Sequence, residues 1–294
     1  MKRVTAAVLL TVALAAACSR RPALVVPGAH YVVGGGYQAS GTWFYPREDF
    51  HYDETGLATV IPAGRGLTAD GEAANDTAMV AAHQTLQLPC IVLVTNLETG
   101  LQVRVRANDR GPESPGRLIA LARRPAALLG MAQGGTARVR VQVDEAASTA
   151  LREQLQGGPR LAVATAPRTA VISESLPPPA GLGQSTRGRT AAPARVASAE
   201  TLPPSDRIPD RLPETVQRVA PAPGRLMIEA GVFGQAVYAE RVAAKLGARV
   251  EQVREGRSNR YTVLSGPYPA VAAADAALDQ AMRAGVSDAR IVVR

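Results

Sequence analysis

Between residues 151 and 223 the chain carries 12 of its 22 prolines and no aromatic residue, with Ser, Ala, Arg and Gly filling most of the rest. Such a stretch cannot bury enough apolar surface to offset the entropy of ordering it, so it reads as a linker. The folded parts must therefore lie on either side. A length of 294 residues agrees, suggesting about two domains. At 46% hydrophobic residues there is ample material for packed cores, which excludes wholesale disorder. Two cysteines, Cys18 and Cys90, exclude a disulfide-dense scaffold and a four-cysteine zinc site. No set of His, Cys, Asp and Glu has recognisable metal-ligand spacing, so neither a metal nor a cofactor is expected.

The amino terminus has a different logic. Lys2 and Arg3 precede an apolar run from Val4 to Ala17, followed by Cys18. A positive start, a short apolar stretch and small residues before a break describe a secretory signal. The run falls short of the ~20 residues a spanning helix needs. Leu14-Ala15-Ala16-Ala17-Cys18 resembles a bacterial lipobox, with Ala15 where Leu is usual. That resemblance implies removal of residues 1–17 and a lipid on the Cys18 thiol. Ser19 resembles the sorting residue of outer-membrane lipoproteins. Two or more acyl chains anchor a protein far more firmly than one. The expected location is the cell envelope of a Gram-negative-type bacterium, on the periplasmic face of the outer membrane.

The remaining chain divides by composition. Residues 18–52 are rich in aromatics, among them Trp43, Phe44, Tyr45 and Tyr52. Residues 53–146 carry β-type runs. Ile91 to Asn96 and Leu101 to Arg106 flank a turn at Asn96 to Gly100, which predicts a hairpin. Arg138 to Val143 alternates valine with polar residues, one face buried and one wet. Arg123 to Met131 reads as a short helix. The linker is assigned to residues 147–223, and the first turn or so of the 151–223 stretch extends a helix from Glu145. Residues 224–294 regain periodicity. Leu226–Ala230, Val250–Val253, Arg260–Leu264 and Ala289–Val293 read as strands, Gly231–Gly234 as a bend, and Ala236–Leu246 and Ala270–Ala284 as helices. The order β-α-β-β-α-β is the split βαβ arrangement, a four-stranded sheet backed by two helices. Net charge is −1 for residues 53–150 and +3 each for 151–223 and 224–294. An exported chain without a recognition motif is not expected to bind nucleic acid. Its basic segments suit an anionic wall or membrane better.

Specific blocks then point to families. Glu54-Thr55-Gly56-Leu57-Ala58, Leu67-Thr68-Ala69-Asp70-Gly71-Glu72, Ala81-Ala82-His83-Gln84-Thr85-Leu86, Asn108-Asp109-Arg110-Gly111-Pro112 and Gly116-Arg117-Leu118-Ile119 together resemble the rare lipoprotein A (RlpA) family. Glu229-Ala230-Gly231-Val232-Phe233 and Tyr261 to Tyr268 resemble a sporulation-related repeat (SPOR) domain. The resemblance implies a mainly β double-psi β-barrel, plus a small α+β (βαββαβ) SPOR domain joined by a disordered linker. It also implies lytic transglycosylase action on peptidoglycan glycan strands lacking stem peptides, likewise the SPOR ligand, with division-site proteins as neighbours. The alternative is a non-catalytic wall-binding scaffold. That alternative draws on two departures from the family: Thr59-Val60-Ile61-Pro62 stands where Ser-Trp-Tyr-Gly is common, and Ala120 where Asp is common.

Cleaving a glycosidic bond needs a proton for the leaving oxygen and stabilisation of oxocarbenium-like charge. Asp109 matches the acidic position of the family block and is the candidate acid and base. Its carboxyl would have to hold a proton near neutral pH, and an Arg110 partner would oppose that. Glu72 is the second candidate carboxylate, for positioning or charge stabilisation, or else a loop residue in turn chemistry. His83 is expected in a short helix with Ala81 and Ala82, either bonding Asp109 or the sugar, or as a buried and satisfied histidine. Cys90 reads as a small hydrophobe. Because the barrel region has no Trp, Tyr or Phe of its own, Trp43, Phe44 and Tyr45 either fold back onto its cleft or plug a barrel end. In the carboxy-terminal domain Phe233, Arg260, Tyr261 and Tyr268 are the candidate glycan contacts, with core packing the competing reading for Phe233.

Overall fold

The computed structural model describes residues 28–62, 64, 66–132, 134–155, 211–255 and 258–294. The expected signal segment, Cys18 and linker residues 156–210 lie outside the described residues.

Six strands make the first body: β3 Asp53–Val60, β4 Val80–His83, β5 Cys90–Asn96, β6 Leu101–Asp109, β7 Ile119–Leu121 and β8 Ala137–Val143. The order β4-β7-β3-β8-β5-β6 closes through a β4–β6 pairing, so the sheet is a barrel. Two pairs, β3–β7 and β4–β6, are parallel and the others antiparallel. This is the double-psi β-barrel.

Strand sequences explain the closure. In β8, Ala137, Val139 and Val141 point into the core, while Arg140 points out and binds Asp53. β5 is apolar from Cys90 to Val94 because both its faces are covered. Cys90, Val92 and Val94 face the barrel core; Ile91 packs under a helix with Ala147 and Leu151. That helix, Glu145–Gln154, is capped by the Asp144 carboxylate on the Ala147 N–H at 3.0 Å. A shorter helix, α1 Arg123–Leu128, precedes it, and the capped one is α2.

Ahead of the barrel, β1 Tyr37–Ala39 and β2 Thr42–Phe44 form a hairpin whose turn residues, Ser40 and Gly41, both have positive φ. That is the twist-matched two-residue turn of hairpins. The segment is laid on the barrel by Tyr37 Oη donating to the Gln84 carbonyl and by the Arg47 N–H donating to Thr85.

The second body has β10 Leu226–Phe233, α3 Ala236–Leu246, β11 Arg249–Glu255, β12 Ser258–Tyr268, α4 Val271–Arg283 and β13 Arg290–Val293. Its sheet order is β11-β12-β10-β13, antiparallel throughout. The expected β-α-β-β-α-β order holds. One expectation needs correcting: Gly231–Gly234 is not a bend that ends the strand. β10 continues to Phe233 because Gly231, at φ +125°, absorbs a bulge between Glu229 and Val232.

The helix from Glu145 runs to Gln154, about a turn into the 151–223 stretch, as expected. One further correction falls within 147–223. Near the other end β9, Val216–Arg218, pairs with the β6 edge, Val216 opposite Val103. Among the described residues no helix is long and apolar enough to cross a membrane.

Candidate functional site

Asp109 is the last residue of β6, and its backbone pairs with Ala82 on the parallel strand β4. Strand β6 alternates here. Arg106 and Asn108 reach one way and grip the Glu72 carboxylate, with Arg106 Nη1 at 2.5 Å and Asn108 Nδ2 at 2.6 Å. Asp109 turns the other way and accepts the Ala69 N–H at 2.9 Å and the Arg110 N–H at 2.8 Å on one oxygen. Both candidate carboxylates are thus tied to a single loop, residues 68–72, from neighbouring positions of one strand. Asp109 is half-buried, and the Glu72 side chain is 21% exposed.

The expected opposition from Arg110 is not made through an ion pair with Asp109. The Arg110 guanidinium points instead at the carbonyl oxygens of Leu86, Val33 and His83. It clamps the 83–86 turn to the amino-terminal segment, and burial pushes its own pKa down.

His83 requires a correction of setting. It sits in strand β4, not in a helix, because Val80 to His83 pairs on both sides, with β7 and β6. Its ring is buried. Nδ1 accepts the Thr85 and Leu86 N–H groups, each at 3.2 Å, which leaves the proton on Nε2 to be donated to Tyr52 Oη at 3.1 Å. Burial, then the charges of Arg110 and Arg47, push its pKa down to about 3. This is the buried and satisfied histidine, holding a turn and a tyrosine. Cys90 is likewise inert: burial lifts its thiol to about 12.

Sequence reasoning overlooked Asp70. It is fully buried, and its Oδ1 accepts the Thr68 hydroxyl at 2.6 Å and the Glu72 N–H at 3.1 Å. Oδ2 has no hydrogen-bond partner among the described residues. Burial raises its pKa to about 6; the Thr68 hydrogen bond opposes this and the Glu72 charge adds to it. The Asp70-Gly71 pair announced the turn, but nothing local announced that the turn would be covered by residues 28–30, whose N–H groups bond Asp70 and Gly71. Gly71 has to be glycine: its φ is +89°, and a Cβ would lie 2.8 Å from the Gly28 carbonyl oxygen.

A cleft of about 380 Å³ opens beside the 83–85 turn, and neither Asp109 nor residues 68–72 line it. Trp43, Tyr45 and Arg47 line one side, Tyr52, His83 and Gln84 its floor, and Ser287 to Ile291 the far side. Trp43 and Tyr45 are 57% and 67% exposed and stack with ring centroids 6.4 Å apart. Trp43, Phe44 and Tyr45 all line this cleft, while Tyr52, which follows that trio, is buried in the barrel core. Gln84 links cleft and Asp109 turn by donating to the Pro112 carbonyl at 2.8 Å.

The four candidates in the second body do not converge. Phe233 and Tyr261 lie opposite one another and pack into the cluster beneath α3. Tyr268 packs against the cluster containing Leu226 and Leu278, its hydroxyl 2.7 Å from Ser265 Oγ. Arg260 is exposed on β12, opposite Val253, and alternation sets it on the face away from Tyr261. Among the described residues no group of three or more potential ligands could hold a metal.

Comparison with known proteins matches residues 38–141 to a family described as lytic transglycolase, and residues 222–291 to the SPOR domain. The endolytic peptidoglycan transglycosylase RlpA of Pseudomonas aeruginosa (strain UCBPP-PA14) is 35% identical over 78% of this chain and 66% of its own length. That of Rickettsia bellii is 34% identical over 41% of this chain and 56% of its own. The chain thus spans about two thirds or less of these relatives. The crystal structure of the RlpA SPOR domain from Pseudomonas aeruginosa aligns with 24% of this chain and 99% of its own, at 20% identity and a TM-score of 0.23.

Proposed function

Since the chain is an RlpA-like protein, built from a double-psi β-barrel and a SPOR domain, we propose that it is an endolytic lytic transglycosylase of peptidoglycan. The observation that carries this is the Asp109 carboxylate, half-buried at the end of β6 and oriented through one oxygen by two backbone N–H groups. In its acid form it protonates the oxygen leaving C1 of the MurNAc unit. As carboxylate it takes the proton from that sugar's own C6 hydroxyl, whose oxygen closes onto C1. One C–O bond breaks and one forms, no water enters, and the product ends in a 1,6-anhydro ring. Glu72, held by Arg106 and Asn108, keeps the 68–72 loop and its Ala69 N–H against Asp109. The substrate in this reading is strands without stem peptides, cut at the division septum by a protein lipidated at Cys18 and held to the outer membrane.

Mass spectrometry of products from peptide-free strands tests it. The wild-type chain is expected to release anhydro-ended fragments, and Asp109→Asn to lose at least about a hundredfold in rate, the usual size of an acid–base contribution. Reducing-end fragments would mean that water is the nucleophile. A second reading, a non-catalytic wall-binding scaffold, has one observation in its favour: both ring nitrogens of His83 are consumed by Tyr52 and by the backbone. Strand binding without any fragments would select it.

A further inference from the structure

The SPOR domain is seated on the barrel rather than hung beside it. Arg117 of the barrel holds Asp275 of α4 through two bonds, at 2.6 and 2.9 Å. Thr55 Oγ1 donates to the Val293 carbonyl at 2.7 Å and accepts the Val293 N–H at 3.2 Å, and Arg290 bridges Glu54 and Glu229. Leu57 and Leu97 of the barrel share one apolar cluster with Leu226, Leu278 and Ile291. The fit is close: a Cβ on Gly116 would lie 2.6 Å from Leu278 and 2.8 Å from Ile291. Approach is also restricted. β9 is laddered to β6, and Arg138 Nη1 donates to the Gly224 carbonyl at 3.0 Å, two residues before β10 begins.

This seating creates the cleft described above, because its far wall, Ser287 to Ile291, belongs to the SPOR domain. Its volume of about 380 Å³ suits a small-ligand site. Its chemistry suits a sugar. Trp43 and Tyr45 offer flat apolar faces to pyranose C–H groups. Arg47, Arg117 and Arg290 also line it, each paired with a carboxylate (Asp49, Asp275, and Glu54 with Glu229), so they add polar guanidinium edges without an excess of positive charge.

We propose that this interdomain cleft is a glycan subsite, in which the Trp43–Tyr45 hairpin and the 287–291 loop hold one stretch of a peptide-free strand between them. The strand is then gripped fully only while the two domains are docked. The inference rests on the peptidoglycan reading for the class of sugar, but not on cleavage.

Trp43 is the chain's only tryptophan, so its emission reports on the cleft. Purified peptide-free glycan strands titrated into the full chain, in an Asp109→Asn background that preserves the ligand, are expected to give a saturable change in Trp43 emission. Asp275→Arg should weaken that titration by about tenfold or more, since it sets two like charges face to face. Asp275→Glu, which keeps the charge opposite Arg117 at a position that does not line the cleft, should stay within about threefold of the parent, and an unchanged far-ultraviolet spectrum for Asp275→Arg separates lost docking from lost fold. No Trp43 response at concentrations where the strands co-sediment the protein would overturn the proposal, as would a response indifferent to Asp275→Arg. Wild-type protein that yields no anhydro ends, yet shows the docking-dependent response, would sink the cleavage reading while supporting the cleft.

Discussion

The barrel and the SPOR domain solve the same problem, an amphipathic sheet in water, in opposite ways. The barrel closes on itself, and its core is filled from its own strands by residues such as Val92, Val105 and Val141. The SPOR sheet is open, and its two clusters differ. Beneath α3 it has a core of small residues, Ala230, Ala239, Ala243 and Val263. Beneath α4 it has larger ones, Leu226, Ile228, Leu278 and Ile291, but that cluster is completed by Leu57 and Leu97 of the barrel. A closed sheet can carry a polar site at its rim because its apolar core is completed without that rim. An open sheet of about 70 residues leans on its neighbour.

The sharpest way to break this comparison is Leu278→Ala. Emptying a fully buried leucine site in the shared cluster should cost about 2–5 kcal/mol. It should move barrel and SPOR unfolding together in calorimetry. A barrel transition left untouched would show that the shared cluster is a contact without energetic weight.

A smaller effect separates the barrel rim from the rest. Asp70 has its folded pKa raised to about 6, above the ordinary 3.8. Between those values the native state holds a proton that the unfolded chain has released. Its contribution is therefore full below about pH 4 and is lost as pH rises through 6. The loss is about 3 kcal/mol. Urea unfolding at pH 4 and pH 7 should show it as the difference between wild type and Asp70→Asn. Identical pH slopes for the two proteins would refute the assignment.

The smallest effect belongs to the barrel's wet face. Arg140 forks onto Asp53, its Nε at 2.7 Å, and holds that carboxyl below its usual range. Both side chains are well exposed, so Arg140→Ala should cost no more than about 1 kcal/mol, and less in high salt. The contribution is present above the ordinary carboxylate pKa and vanishes as pH falls through the depressed one. The Asp70 and Asp53 slopes are thus of opposite sign, and titrating both variants side by side tells rim from wall.

How much of this could be read from the chain follows from how local each signal is. The β5–β6 hairpin and the alternation of β8 were legible because period-two burial writes itself into consecutive residues. The βαββαβ order was legible for the same reason. β4 was not: four residues, Val80 to His83, with two alanines among them, carry no period that distinguishes strand from helix. β9 is three exposed residues inside a proline-rich stretch, and only its partner edge makes it a strand. At the site, Asp109 and Glu72 were legible through family resemblance, whereas Asp70 became distinctive only when residues 28–30 covered it. Phe233 read either as a glycan contact or as core and Tyr261 as a glycan contact, because aromatic residues suit either face of a sheet, and only packing against the cluster beneath α3 decides it.

The two flanks of residues 156–210 meet. Leu155, just past α2, and Leu212, just before β9, pack into the same small cluster over Ile91 and Leu151. Chain that departs and returns to one spot is a detour, not a bridge, and the mechanical link between the domains is the short run from β9 to β10. A protease that nicks the detour should therefore yield two polypeptides on a denaturing gel and one particle on a sizing column. Shortening the detour, even to a few residues, should change the spacing between barrel and SPOR domain no more than trimming a loop of thread changes the garment it hangs from.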